Sequence, residues 1–311
     1  MLYVKQTREI EKFMLNNIKR IAIAHLLVTV CLLIACNSTT EITTSKPSTE
    51  NKQTNSAKVE KTLTEKANVE EEKKEELIEI YDGRKDFEPK DFPESETKPV
   101  QAEFDKQLSL IKDKMGDKFC SELGEVNING IAKGSFTKPK SNQKAVLYDV
   151  CRSGTSHFGV GGLVIFESDK AVAHFVYGEH GLQSGLTYAP DVNKNGLSEL
   201  VLIDYQMHQG NSGTAIILAE IVKGDLNFMG SAATFSNNSG AVGDEKDMLS
   251  QASRISVQPS SSPIFYRDSY EIKGNKKDWL PVKKGGKFSL NKENLKMYAE
   301  DFKSLEITQW N

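Results

Sequence analysis

The feature that most constrains the fold of this chain is an apolar pattern with a period of two, which begins near Val126. Short runs rich in β-branched and aromatic residues alternate with turn sequences such as Lys-Pro, Arg-Ser-Gly and Ser-Asp-Lys. Residues two apart lie on the same face of a strand, so each run predicts a β-strand. The predicted strands cover residues 126–137, 144–150, 157–167, 171–178, 197–206, 214–222, 225–235, 254–258, 263–273 and 279–283.

Helical patterns lie at the two ends of this region. Phe104, Leu108, Ile111 and Met115 form one apolar stripe that predicts a helix over 101–118. A short closing helix is expected over 292–305, and few segments have the pattern of a βαβ crossover. The sequence therefore predicts a β-dominated, mainly antiparallel single globular domain over residues 100–311, with N- and C-terminal helices.

The N-terminus carries a basic segment followed by an apolar run over residues 21–35. This run is shorter than the roughly 20 residues that a membrane-spanning helix needs, and it fits the core of an export signal. Its end, Leu33-Ile34-Ala35-Cys36, resembles the bacterial lipobox. The resemblance implies a signal peptide over 1–35 and a lipidated Cys36 carrying acyl chains such as palmitate. A plain signal peptide or an anchor helix is the alternative.

By analogy with lipoproteins of Gram-negative bacteria, Asn37 after the lipidated cysteine permits transfer to the outer membrane. The segment before the apolar run is long, so the start is either Met1 or Met14. Residues 36–99 are predicted to be a low-complexity tether, because residues 37–76 contain no aromatic residue and no glycine. Within the tether, the Glu/Lys spacing of 69–83 favours a transient or docked helix.

Two cysteines, Cys120 and Cys151, remain after the signal and the lipid site are set aside. In an exported domain a disulfide between them is the default expectation, with a nucleophilic or metal-bound cysteine as the alternative. The chain has 40 basic and 43 acidic residues, which argues against a nucleic-acid partner because such a partner requires a basic face.

One loop suggests a definite chemistry, because oxygen-bearing side chains alternate along it and a glycine follows the third. Ca²⁺ binds six to eight oxygen ligands, which such a loop can supply. The predicted ligands are Asp191, Asn193, Asn195, the backbone carbonyl of Leu197, and Glu199. The loop resembles the calcium loops of integrin-type (FG-GAP/VCBS) β-propeller repeats, in which the ligand run leads directly into a strand. The resemblance covers about thirty residues in one copy and implies a hairpin with a weak Ca²⁺ site; a metal-free tight turn is the alternative.

No catalytic motif is present in the sequence. The histidines His157, His174, His180 and His208 lack metal-like spacing, Ser212 is explained by an Asn/Gly turn, and Glu179–His180 is a candidate acid/base pair. The chain is therefore interpreted as a bacterial envelope lipoprotein facing the periplasm or the outer surface. We expect a non-enzymatic binding module that is membrane-attached through its lipid and has a protein or glycan partner. The alternatives are an envelope hydrolase acting on a glycan or peptide, and a purely structural envelope protein.

Overall fold

The computed structural model describes residues 77–85, 90–115, 123–152, 159–178 and 183–305, most of which lie in two antiparallel sheets. The predicted β-dominated, mainly antiparallel fold with terminal helices is confirmed. The elements in chain order are β1 (Ile78–Asp82), α1 (Glu94–Met115), β2 (Asn127–Gly134), β3 (Gln143–Arg152), β4 (Gly159–Glu167), β5 (Lys170–Tyr177), β6 (Gly185–Ala189), β7 (Glu199–His208), β8 (Asn211–Val222), β9 (Asp225–Asn237), a 3₁₀ turn (Glu245–Asp247), β10 (Leu249–Gln258), β11 (Ile264–Lys273), β12 (Leu280–Phe288), α2 (Leu295–Asp301) and β13 (Lys303–Ser304).

In both sheets, strands that follow one another in the chain are neighbours, over β2–β5 in the smaller sheet and β6–β12 in the larger. The smaller sheet has the order β13-β5-β4-β3-β2, and the larger has the order β12-β11-β10-β9-β8-β7-β6. Strand β10 pairs with β9 only from Ser250 to Ala252 and then leaves it. From Arg254 to Val257, β10 pairs with β1 instead. The larger sheet therefore splits and curls, with β1 placed where β9 and β10 part.

The central core lies between the meanders β2–β5 and β6–β9. Leu163, Ile165 and Phe175 of the smaller sheet share one apolar cluster with Leu200 and Leu202 of the larger sheet. Burying each such side chain contributes about 1.5–3 kcal/mol. This packing holds the two sheets together.

The outer faces of both meanders are also covered. Helix α1 packs on the smaller sheet through the predicted stripe, with Phe104, Ile111 and Met115 buried. On the larger sheet, a third cluster joins Val201 of β7 to Ile255 of β10. Because the central strands are buried on both faces, their sequences are nearly continuous apolar runs.

Some boundaries differ from the predictions. A helix was predicted over 69–83. The prediction is wrong for the part that the structure describes, because Ile78–Asp82 is strand β1. Helix α1 begins at Glu94 and contains Pro99, so both β1 and the start of α1 lie within the stretch assigned to the tether. Residues 1–76, with the predicted signal and Cys36, lie outside the described residues. Over the described ranges, no helix is long and apolar enough to cross a membrane.

Candidate functional site

The candidate cation loop connects β6 to β7. Its last predicted ligand, Glu199, begins β7 and pairs with Ala189 at the end of β6. The loop is fixed to the segment after β2, because Ser198 N donates to Ser135 O at 2.9 Å and Ser135 N donates to Ser198 Oγ at 3.1 Å. Gly196 has φ +92°, a left-handed conformation that glycine adopts without steric cost. The loop thus lies at the junction of the two meanders.

Three predicted ligands converge on the backbone of this loop. Asp191 accepts from Asn195 N through Oδ1 (2.9 Å) and from Gly196 N through Oδ2 (2.7 Å). Asn193 Oδ1 also accepts from Asn195 N, at 3.1 Å, and Asn195 Oδ1 accepts from Leu197 N at 2.8 Å. These bonds suffice to hold a tight turn. Each carboxylate or amide oxygen has a second lone pair, so the same oxygens can still bind a cation.

Glu199 is the most unusual member of the set, because its side chain has no exposed surface. Its Oε2 accepts from Val192 N at 2.9 Å, whereas Oε1 has no hydrogen-bond partner among the described residues. Burial raises the pKa of Glu199 to about 7, and the negative charges of Asp191 and Glu220 act in the same direction. A buried acceptor without a partner costs about 1–3 kcal/mol. A bound cation would supply the missing partner of Oε1, whereas a proton would remove the charge but leave a buried O–H without an acceptor.

The sequence analysis missed Glu220, a buried carboxylate on β8 that is 7% exposed. Its Oε2 accepts from the side-chain amides of Asn193 (2.9 Å) and Asn195 (2.7 Å), and its Oε1 accepts from the amide of Asn227 (3.1 Å). The feature of the sequence that could have pointed to Glu220 is that it is a single acidic residue within the apolar run of β8. Glu220 therefore links the loop to the neighbouring hairpin.

Glu220 and Asn227 also line a cavity of about 760 Å³ beside the loop. Its other walls are largely apolar, and Lys287 and Lys292 line it as well. The apolar lining consists of Phe228, Met229, Pro263, Ile264, Phe265, Phe288, Leu290 and Leu295. A cavity of this size and lining falls within the range of small-molecule sites.

The chemistry of the predicted ligands suits a hard cation such as Ca²⁺, because every predicted ligand atom is an oxygen. Only Asp191 and Glu199 among the predicted ligands are carboxylates. No group of three or more His, Cys, Asp or Glu side chains in the described part of the chain is arranged to hold a metal ion. A cation bound by this set would take most of its ligands from amide and backbone oxygens, and few charged ligands are typical of low affinity.

The histidines that the structure describes are not brought together. His174 is buried beneath α1, where its Nε2 lies 2.6 Å from the hydroxyl of Tyr148, and His208 is exposed at the end of β7. His157 and the Glu179–His180 pair lie outside the described residues. The acid/base pair therefore stays a prediction.

The remaining candidates are a turn and a cysteine pair. The β7–β8 turn consists of Gln209 (φ +49°) and Gly210 (φ +79°), which is the two-residue type I′ geometry, and Ser212 lies in β8. Cys151 lies on β3 and packs against the cluster beneath α1, whereas Cys120 lies outside the described residues. The disulfide stays a prediction.

Comparison with known proteins finds no matching protein family, no similar curated protein and no similar solved structure. The lipobox and calcium-loop resemblances therefore rest on the residues of this chain. The fold and the loop define a two-sheet antiparallel β protein with an oxygen-rich loop at the junction of its sheets.

Proposed function

We propose that the protein is a lipid-anchored, non-enzymatic binding module of the bacterial cell envelope, whose Asp191–Glu199 loop is stabilised by Ca²⁺. The observation that carries the proposal is the buried Glu199 carboxyl, whose Oε1 has no partner in the described residues. Burial raises the pKa of Glu199, and the negative charges of two further carboxylates, Asp191 and Glu220, raise it further. A divalent cation would offset this concentration of negative charge and occupy the free oxygen.

The binding role is supported by the connection between the loop and the cavity beside it. Glu220 accepts from Asn193 and Asn195 in the loop and from Asn227, which lines the cavity together with Glu220. A cation that orders the loop would also order Glu220 and this wall of the cavity. The partner is a protein or a glycan, and its binding would depend on Ca²⁺.

Attachment to the membrane belongs to the same proposal. Cleavage before Cys36 would leave a mature chain that is lipidated at its first residue and joined to the β-sheet domain by the tether. Two or three acyl chains hold a protein on a membrane effectively permanently, since each buried CH₂ contributes about 0.8 kcal/mol. The disulfide between Cys120 and Cys151 completes the exported form.

The test is the thermal midpoint of the lipid-free mature chain, residues 37–311, in chelator and in Ca²⁺. All hydrogen bonds and core contacts described above lie within residues 77–305, so removing the signal removes none of them. At about 10 mM Ca²⁺ and a Kd of about 10⁻⁴–10⁻³ M, binding stabilises the fold by about 1.4–2.7 kcal/mol. For a domain of this size the midpoint rises by about 3–8 °C.

Two variants make this measurement specific. Glu199→Gln removes the ligand charge while keeping the shape, and should abolish the Ca²⁺-dependent rise. Asp278→Asn removes an exposed carboxylate far along the chain in the β11–β12 turn region and should keep the rise. Superimposable melting curves of the parent chain in chelator and in Ca²⁺ would refute the cation site and leave the tight-turn interpretation.

A further inference from the structure

Arg267 on β11 differs from the other arginines in the described residues. Arg84, Arg152 and Arg254 each form an ion pair with an aspartate. Arg267 instead stacks its guanidinium on the ring of Phe288, with 4.4 Å between the guanidinium carbon and the ring centroid. Its Nε is buried and has no hydrogen-bond partner in the described part of the chain. Arg267 is thus a partly buried cation that has no ion-pair partner among the described residues.

Arg267 faces a cleft of about 240 Å³ formed by β9, β10, β11 and β12. Hydroxyl-bearing side chains line much of this cleft, and Ser253 and Ser269 are direct partners across the β10–β11 pair. Partners in an antiparallel pair project from the same face, so their hydroxyls lie side by side. Hydroxyl groups can donate hydrogen bonds to an anion held by the arginine.

A second cation lies on the same side of the β11–β12 pair. Gly286 is the strand partner of Arg267, and a Cβ at Gly286 would lie 3.0 Å from Lys283 Cε and 3.4 Å from Lys283 Nζ. The Lys283 side chain therefore covers the position opposite Arg267. The nearby acid, Asp268, is already bonded to Arg254 and to the backbone N–H of Gly285. Two cations share one face, and the adjacent carboxylate is engaged elsewhere.

We propose that this cleft is a phosphate-binding site, in which Arg267 and Lys283 hold the anion and the hydroxyls of Ser253 and Ser269 donate hydrogen bonds to it. The planar guanidinium matches the oxygens of a phosphate group, and a lysine adds a point charge. The small volume fits a phosphate group and not a whole drug-sized ligand. The phosphate is either free or carried on a phospholipid headgroup, and the site does not depend on the cation loop.

Supporting this assignment, burial lowers the pKa of Arg267, so the surrounding protein disfavours its charge. A bound anion would reverse that penalty, because an opposite charge in hydrogen-bond contact favours the ionised form. Lys283 and Lys284 directly follow Val282, the β12 residue that lines the cleft, so positive charge lies beside it. An anion would therefore be attracted to the cleft before it makes any direct contact.

The experiment uses the lipid-free mature chain in chelator-treated buffer, so that calcium phosphate does not form. One arm titrates inorganic phosphate by calorimetry. The other measures co-sedimentation with phosphatidylglycerol vesicles and with phosphatidylcholine vesicles. Three variants are compared: Arg267→Met, Lys283→Gln, and the matched control Lys277→Gln. The control removes an exposed lysine of the β11–β12 connection, whereas Lys283 lies beside Gly286, the strand partner of Arg267.

We expect saturable one-to-one binding in at least one arm, with a tenfold or greater loss of affinity in Arg267→Met, a several-fold loss in Lys283→Gln, and less than a twofold change in Lys277→Gln. Binding of inorganic phosphate identifies free phosphate as sufficient; binding confined to phosphatidylglycerol vesicles identifies the headgroup. Both results support the site. Absence of binding in both arms overturns it, and so does an equal loss in Lys283→Gln and Lys277→Gln, which would indicate non-specific charge attraction. Lys283 is exposed, so its variant remains informative if Arg267→Met fails to fold.

Discussion

The buried His174 makes a specific prediction about acid stability. It lies on β5 beneath α1, with its Nε2 2.6 Å from Tyr148 Oη and its Nδ1 3.9 Å from Glu103 Oε1. Burial lowers its pKa from 6.5 to about 3, and the positive charge of Lys106 acts in the same direction. The folded protein therefore holds His174 neutral, whereas the unfolded chain protonates it below about pH 6.5.

The sign of the effect follows from the lowered pKa. The stabilisation is complete above the unfolded pKa and is lost as the pH falls from about 6.5 towards 3. Between about pH 6.5 and about pH 4.5, this one histidine should lower the free energy of unfolding by about 2 kcal/mol. His174→Gln retains an acceptor for the Tyr148 hydroxyl but cannot titrate, so its free energy of unfolding should fall less over the same interval by about that amount.

The assay is urea unfolding of the parent chain and the variant at several pH values, followed by far-ultraviolet circular dichroism. All other carboxylates and histidines are common to both chains, so their contributions cancel in the difference. His208→Gln is the matched control, because His208 is exposed. The reasoning is refuted if the stability difference between the parent chain and His174→Gln is the same at every pH. It is also refuted if the difference between the parent chain and His208→Gln changes with pH as much as that for His174→Gln.

Three further predictions concern packing and anchoring. Gly130→Ala places a Cβ 2.5 Å from Leu186 N and should destabilise the β2–β6 contact by about 1–3 kcal/mol, whereas Gly243→Ala, with no atom within 4 Å, should change the urea midpoint little. Leu202→Ala, fully buried between the sheets, should lower the free energy of unfolding by about 2–5 kcal/mol in the same assay. Cys36→Ser should abolish incorporation of labelled palmitate in cells and release the protein from the membrane fraction; labelling that persists would place the lipid elsewhere.

The strands were predictable wherever apolar runs are bounded by turn residues. Strands β3, β4 and β8 fall within a few residues of their predicted ranges, because burial on both faces leaves an unbroken apolar signal. The short strands β6 and β13 were not predicted, since their five and two residues carry no alternation of their own and are stabilised by pairing with β7 and β5.

The β1 segment shows how tertiary pairing overrides local preference. Its Glu and Lys neighbours favour a helix by i,i+4 spacing. In the fold, Ile80 enters the cluster on the outer face of the larger sheet, and Ile78–Asp82 pair with the part of β10 that β9 leaves open. That opening exists only after the larger sheet has formed, so the sequence of the segment alone could not reveal it.

The candidate site, like the fold, was predictable from the sequence only where local spacing determines it. The folding of Asp191 and Asn193 onto one turn was predictable, because local spacing alone brings their oxygens to its backbone. Whether these residues bind a cation stays a prediction. Glu220 was not predictable, because its position beside the loop depends on the register of β8 against its neighbours. The proposed phosphate cleft is equally hidden from the sequence, since it depends on the pairing of Arg267 with Gly286.

The most direct test of the calcium loop is a Ca²⁺ titration of the ¹⁵N-labelled mature chain followed by amide chemical shifts. The backbone N–H groups of Val192, Asn195, Gly196 and Leu197 donate to the predicted ligand side chains. A cation at the loop should shift these amides together and saturably, with a Kd of about 10⁻⁴–10⁻³ M. The shifts should vanish in Glu199→Gln. Amides that do not move at saturating Ca²⁺, or that move equally in Glu199→Gln, would show that the loop is a tight turn and not a cation site.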